Sequence, residues 1–323
     1  MTIPEKYGGL GFGFVGFGQV LEETGRTLTA SPLVSTVLLG STAIQMAGNQ
    51  AQKEKFLPAI AEGNCLLTIA LEEKGQHNPL KTSCKANQKD DYFVINGRKQ
   101  FVLDGHIADH LIVVARSSEP SPNSEGISML IVDSSLPGVK IERTVMMDSR
   151  NAAIVHFDNV KVPKEELLGE QGKVWPILEY ILDIARIGLA SEMLGTMQEA
   201  FDRTLAYIKD RQQFGVSIAV FQALQHRAAQ MYCEIELCKS IVLKAIQAID
   251  GKEKNLAELA SLTKAKTGET LQLVTNEAIQ MFGGIGMTDD EEIGFFLKRA
   301  RVAQNTLGDY NYHLDRYAKL KGF

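Results

Sequence analysis

Cysteine and histidine are the side chains whose spacing would reveal metal or thiol chemistry, and here the spacing argues against both. The four cysteines (Cys65, Cys84, Cys233, Cys238) form no CxxC pair and no zinc-ligand pattern. They read as reduced, partly buried thiols of a cytoplasmic protein. The six histidines are scattered, with no HxxxH or HExxH arrangement, and no metal site is expected. Carboxylates remain. The stretch RVAQNTLGDYNYHLDR, Arg301 to Arg316, sets Asp309 directly ahead of a helical pattern, where the ordinary task of an aspartate is to cap the first N–H groups. Taken singly, Arg211 in RQQFG reads as a solvated charge at a helix end, and Gly283–Gly284 in MFGGIG as a turn.

The elements that must position these residues fall into three zones. The first, 1–63, is helical: after the glycine-rich opening YGGLGFGFVGFG, which reads as a loop, apolar residues recur every three or four positions. QAQKEKFLPAIAEG then reads as a short amphipathic helix ending on Gly63. The second zone, 64–168, changes period. DYFVINGRKQFVLDG holds two β-type runs around Asn96-Gly97, which predicts a hairpin there. HLIVVARS, GISMLIVDS and AAIVHFDNVKVP follow as short strands, with SSEPSPNSEG as an exposed loop. Short strands without intervening helices predict an antiparallel sandwich or barrel.

The third zone, 169–323, carries three long helical patterns and a shorter fourth after GGIGMTDDEE, which predicts a four-helix bundle. The expected fold class is therefore α+β with several domains: N-terminal helices, a central β domain and a C-terminal bundle. With 323 residues there is ample chain for such a core, and 45% hydrophobic against 23% charged residues is ordinary for a globular protein. A formal net charge of −5 gives no nucleic-acid footprint, and no apolar run reaches the length of a membrane span.

Six motifs then fall in register. IPEKYGGLG, KEKFLPAIAEG, VINGRKQFVLDGHIADHLIVVAR, VHFDNVKVPKEELLG, RQQFG and AIQMFGGIG occur in the order seen in the acyl-CoA dehydrogenase family, over nearly the whole chain. The chain resembles that family, and against its pattern the first helices of the N-terminal domain are expected to be missing. The resemblance implies FAD, lying extended between two subunits, an acyl-CoA substrate and an electron-transfer flavoprotein as electron acceptor. It also implies a dimer or tetramer assembled through the C-terminal bundle.

Residue by residue, the resemblance assigns Arg211 to the FAD pyrophosphate, Phe214 to packing on the cofactor and Gln222 to its adenine side. Gln280, Gly283 and Gly284 match the segment whose amide and bare backbone approach the pyrophosphate, as glycine permits. On the flavin side, ALEEK stands where the family has a Leu-Thr-Glu-Pro strand, so Leu71 and Glu72 face the ring, with Glu72 in place of threonine. Phe101, in KQFVL, belongs to the second ring-facing strand, where Leu103 replaces a further hydroxyl.

The family reaction needs a carboxylate to take a proton from the acyl Cα and donors for the thioester oxygen. The usual Glu-Gly-Thr falls on Leu307, Gly308 and Asp309: the backbone donor is retained, the carboxylate is not. The alternative place for the base, just before an arginine on the first bundle helix, holds Ala185 ahead of Arg186. Asp183 and Arg186 match CoA and acyl-pocket contacts. Two readings stay open. In one, Asp309 or Asp183 is an unconventional base and the chain desaturates an acyl-CoA by itself. In the other it resembles the small, degenerate subunit of bacterial heteromeric enzymes such as the pimeloyl-CoA dehydrogenases, donating its ADP-half site to a flavin held by a sister subunit that carries the Glu.

Overall fold

The computed structural model describes residues 1–117 and 125–323; the middle of the expected SSEPSPNSEG loop lies outside the described residues. The chain divides into two compact units, Met1–Phe12 with Ser31–Ala185, and Gly13–Ala30 with Arg186–Phe323.

The second unit is helical. Its first helix, α1 (Gly13–Arg26), starts five residues earlier than the glycine spacing suggests, inside the stretch read as a loop. The reason is long-range. The N–H groups of Phe14 and Val15, which no residue of α1 can satisfy, donate to the Asp250 carboxylate at 2.9–3.1 Å.

In the first unit, a π-helical segment (Leu33–Ser41) leads into α2 (Thr42–Ala47) and α3 (Gln50–Ala61). A reciprocal capping box between Asn49 and Gln52 opens α3. The Gln52 amide also donates to the carbonyls of Glu165 and Leu167, fastening α3 to the sheet's last strand.

The sheet follows: β1 (Leu67–Ala70), β2 (Lys85–Lys89), β3 (Tyr92–Leu103), β4 (His110–Arg116), β5 (Ile127–Asp133), β6 (Val139–Val145), β7 (Asn151–Pro163) and β8 (Leu167–Leu168). Among the described residues these form one sheet in the order β6-β7-β3-β2-β4-β5-β8, with β1 beside β4. Its core is apolar, with Phe93, Ile95, Leu111, Val113, Leu130 and Val155 fully buried.

Two expectations are corrected here. Most pairs are antiparallel, but β1 and β4 run parallel, and β2 meets β4 in parallel at Lys85–Arg116. The Asn96-Gly97 hairpin does not form: β3 runs straight through it, and the hairpin closes instead at Asp90-Asp91, between Lys89 and Tyr92. Asn96-Gly97 is a bulge opposite β7, where the register shifts between Ile95 and Gly97. Gly97 has φ +153°, and a Cβ on it would lie 2.8 Å from the Cys84 Cα. Asn-Gly marks a backbone of unusual φ, which a bulge needs as much as a turn does.

The bundle helices are α4 (Trp175–Asp210), α5 (Gln222–Asp250), α6 (Leu256–Phe282), α7 (Ile293–Asn305) and α8 (Tyr310–Leu320). Pro176 sits in the first turn of α4, where its missing N–H costs nothing. Among the described residues no helix is long and apolar enough to cross a membrane.

Candidate active site

In the second unit, Arg211 follows the last residue of α4 and leads into a two-stranded ribbon, β9 (Gln212–Gln213) and β10 (Val216–Ser217). Phe214 stands at its tip, with φ +55° and 91% of its surface exposed. Gln222 is the first residue of α5, Gln280 lies in the last turn of α6, and Gly283 and Gly284 follow that helix. Tyr207 of α4 stacks on Phe282 of α6 at 4.1 Å and donates to its carbonyl, so the two helix ends are clasped. Arg211 and the Gln280–Gly284 turn therefore issue from neighbouring helix ends. All six expected residues are exposed, and open space surrounds the positions a Cβ would take on Gly283 and Gly284. An exposed guanidinium, a side-chain amide and approachable backbone fit a pyrophosphate, and an exposed aromatic fits a flat ring system beside it.

In the first unit, the N–H of Gln100 donates to the Glu72 carbonyl at 2.8 Å, so the structure brings Leu71 and Glu72 beside Phe101. Phe101 has φ +52° at a second irregularity of β3 against β7. Leu71 and Glu72 line a recess of about 320 Å³ together with Glu73, Lys74, Gln76 and Thr82. Glu72 also contacts His77. The recess rests on an ionic cluster that the sequence did not disclose. Lys99 is fully buried and donates to the Leu71 carbonyl (3.0 Å), Glu73 Oε1 (2.7 Å) and Thr82 Oγ1 (2.8 Å). The sequence marks Lys99 only as the first residue of the KQFVL strand motif, not as the centre of a buried cluster.

Burial pushes the Glu73 carboxyl up, but attraction to Lys99 and hydrogen bonds from Lys99, Ser83 and Thr82 outweigh it and hold the group at about 2. The folded value lies below the unfolded one, so the stabilisation is complete above the ordinary carboxylate value of 4.5 and is lost as pH falls from there toward about 2. Urea unfolding followed across that window should show stability falling with acid, and Glu73→Gln should flatten this part of the profile. A profile unchanged by the substitution would contradict the assignment.

The third cluster surrounds the turn after α7, in the second unit. Leu307 has φ +60° and a buried side chain, and Gly308 has φ +106°. The Leu307 carbonyl accepts from Arg186 Nε at 3.1 Å and from His313 Nε2 at 3.1 Å. Arg186 is 1% exposed and its Nη2 also reaches Tyr312 Oη at 3.3 Å, so its guanidinium is held within the bundle. Lys264 of α6 donates to the carbonyls of Ala303, Gln304 and Gly308. Burial pushes its ammonium down to about 7, and the Arg186 charge pushes the same way. Neither Lys264 nor His313 was marked by the sequence.

Asp309 is exposed and is the N-cap of α8, accepting from the Tyr312 N–H at 2.8 Å. Beside it a groove of about 660 Å³ runs along α6 and α7, lined by Gln272, Asn276, Arg301, Gln304 and Tyr310 among others. Asp183 is 3% exposed on α4, one turn before Arg186. Among the described residues no cluster of His, Cys, Asp or Glu has the makings of a metal site.

Known proteins share the order of these domains. Residues 1–64, 72–160 and 172–320 match, in turn, the N-terminal, middle and C-terminal domains of acyl-CoA dehydrogenase. The cyclohex-1-ene-1-carbonyl-CoA dehydrogenase of Syntrophus aciditrophicus is 32% identical over 94% of this chain and 74% of its own length. The bovine mitochondrial short/branched chain specific acyl-CoA dehydrogenase is 30% identical over 99% of this chain and 74% of its own. The solved butyryl-CoA dehydrogenase of Megasphaera elsdenii superposes with a TM-score of 0.93 at 29% identity, covering 99% of this chain and 86% of that one. With its three parts matched in order over nearly its whole length, the chain belongs to the acyl-CoA dehydrogenase family, FAD-carrying oxidoreductases that act on acyl-CoA.

Proposed function

We propose that the protein takes part in the α,β-desaturation of an acyl-CoA thioester as one subunit of an oligomer, and that a sister chain supplies the carboxylate that removes the Cα proton. The observation that carries this reading is the turn after α7. It keeps an ordered backbone at the position of the family's base but presents a buried leucine side chain there. The carboxylate two residues on is already engaged as the cap of α8.

FAD, when bound, supplies the hydride acceptor for the acyl Cβ. This chain's residues bind and orient. Arg211 would pair pyrophosphate oxygens, and Gln280 and the Gly283–Gly284 backbone would approach the same group. Phe214 would lie on the cofactor and Gln222 at its adenine end; Leu71, Glu72 and Phe101 would face the ring of a second cofactor, whose other half a partner subunit completes. In this chain's own pocket the Leu307 N–H would donate to the oxygen of a bound thioester and so contribute to affinity; the negative charge that strengthens such a bond would develop in the sister chain's pocket, where the carboxylate is. Arg186 acts behind the Leu307 N–H, through the Leu307 carbonyl. Electrons would leave to an electron-transfer flavoprotein.

The test is the visible spectrum of the chain purified alone, followed by anaerobic addition of butyryl-CoA, isovaleryl-CoA and cyclohexane-1-carbonyl-CoA, each of which has a Cα proton and a saturated Cα–Cβ bond. The expected result is flavin that does not bleach, or little flavin at all. One equivalent of flavin per chain that bleaches with a thioester would overturn the reading in favour of a self-sufficient enzyme. Asp183→Asn and Asp309→Asn would then tell which carboxylate serves as base.

A further inference from the structure

The charged groups buried in the bundle include one that touches neither candidate half of the cofactor site. Lys264 lies in the middle of α6, 2% exposed, and all three hydrogens of its ammonium find carbonyl oxygens. Ala303 (3.1 Å) and Gln304 (2.9 Å) belong to the last turn of α7, whose carbonyls have no partner within the helix. Gly308 (3.1 Å) lies beyond the reversal. One ammonium thus joins the two sides of the turn that contains Leu307.

That turn needs an external hold. Leu307 is a bulky residue in left-handed conformation, a geometry that persists only where the surroundings over-determine it. Gly308 has no room for even a methyl group, since a Cβ would lie 2.5 Å from the Tyr312 ring. Arg186 and His313 fix the Leu307 carbonyl from one side, and Lys264 fixes the flanking carbonyls from the other. Among the described residues the Leu307 N–H donates to no acceptor, so the hold leaves it available.

We propose that Lys264 is a positioning residue: by tying Ala303 and Gln304 to Gly308 it sets the direction of the Leu307 N–H, and through it the affinity for an acyl-CoA thioester that Lys264 never touches. The inference rests on the role given above to that N–H. Below its value of about 7 the lysine suits the task, because a single flexible side chain then carries three donors on one atom, and a hydrogen bond from a charged donor is about twice as strong as a neutral one.

The test compares wild type, Lys264→Met and Lys264→Arg as full-length protein in excess FAD. It uses amide hydrogen exchange over 303–309 and calorimetric titration with the same three CoA thioesters. Lys264→Met should speed exchange of these amides by about tenfold or more and weaken thioester binding by about tenfold, as expected for removing hydrogen bonds from a charged group. Lys264→Arg, which keeps a cation with several donors, should recover most of both. If Lys264→Met does not fold, Lys264→Gln, uncharged, one bond shorter and with one donor fewer, should shift both readouts in the same directions by smaller amounts.

Unchanged exchange would overturn the proposal. Faster exchange with unchanged affinity would also overturn it, reducing Lys264 to a structural cap. A wild-type protein that binds none of the three thioesters would remove the functional reading and this inference with it; normal wild-type binding that Lys264→Met leaves intact removes the inference alone.

Discussion

Leu307→Glu should raise the rate of acyl-CoA-dependent flavin bleaching by roughly 10²- to 10⁴-fold, the range that a positioned general base contributes. The backbone for it is already in place. Leu307 holds φ +60°, a strain that leucine and glutamate share, so the substitution adds no new backbone cost. The side chain is buried, with only 7% of the residue exposed, and a carboxylate placed there would be pushed up toward neutrality by desolvation. That shift brings a carboxylate into the range where it can accept a proton near neutral pH. Anaerobic stopped-flow absorbance on FAD-loaded variant and wild type measures it directly. A variant that binds FAD and thioester as wild type does, yet bleaches no faster, would show that the missing carboxylate is not what limits this chain.

The largest loss of stability should come from Lys99→Met. The lysine is fully buried, and its removal leaves the Glu73 carboxylate, 9% exposed, without its counter-charge and leaves the Leu71 carbonyl and Thr82 hydroxyl without a shared donor. Deleting one partner of a buried ion pair costs about 3–5 kcal/mol, because the survivor remains desolvated. Urea unfolding should report a loss of that size. Lys99→Met combined with Glu73→Gln should recover part of it, since the orphaned charge is gone. A single-variant loss below about 1 kcal/mol would mean that water reaches the cluster and screens it. The same substitution should alter the recess lined by Leu71 and Glu72, because Lys99 holds the carbonyl at its edge.

What could be read in the sequence follows the range of the interactions involved. The helices α3 to α7 follow local apolar periodicity, so their existence and order were legible. The start of α1 was not, because it depends on a cap from Asp250, 236 residues away. The Asn96-Gly97 bulge was mistaken for a hairpin because the dipeptide reports only its own φ, and pairing with β7 decides which structure results. The parallel contacts of β4 with β1 and β2 are likewise set by pairing across the sheet.

In the candidate site, Arg211, Gln280 and the glycine pair were legible because each sits in a compact motif at a helix end. Lys264 and Lys99 were not. A lysine's place on a helix or strand does not say which carbonyls converge on it, and here those come from residues 39 to 44 and 17 to 28 positions away.

The bond between Asp250 and the start of α1 also bears on the order in which the molecule forms. A ribosome releases Phe14 and Val15 first, yet their N–H groups find a stable acceptor only after residue 250 has emerged. Between them lies the entire stretch Ser31–Ala185, which belongs to the other unit. The sheet-bearing unit can therefore form while α1 is still waiting, and the helical unit, built from segments before and after Ser31–Ala185, can only follow. Closing a loop of that length costs little more free energy than closing a short one, but contacts so distant in sequence form slowly. The apolar face of α1 therefore waits for its α5 partner, where Ile246 packs against Gly18, until that helix has been made, an interval in which such surfaces are prone to aggregate.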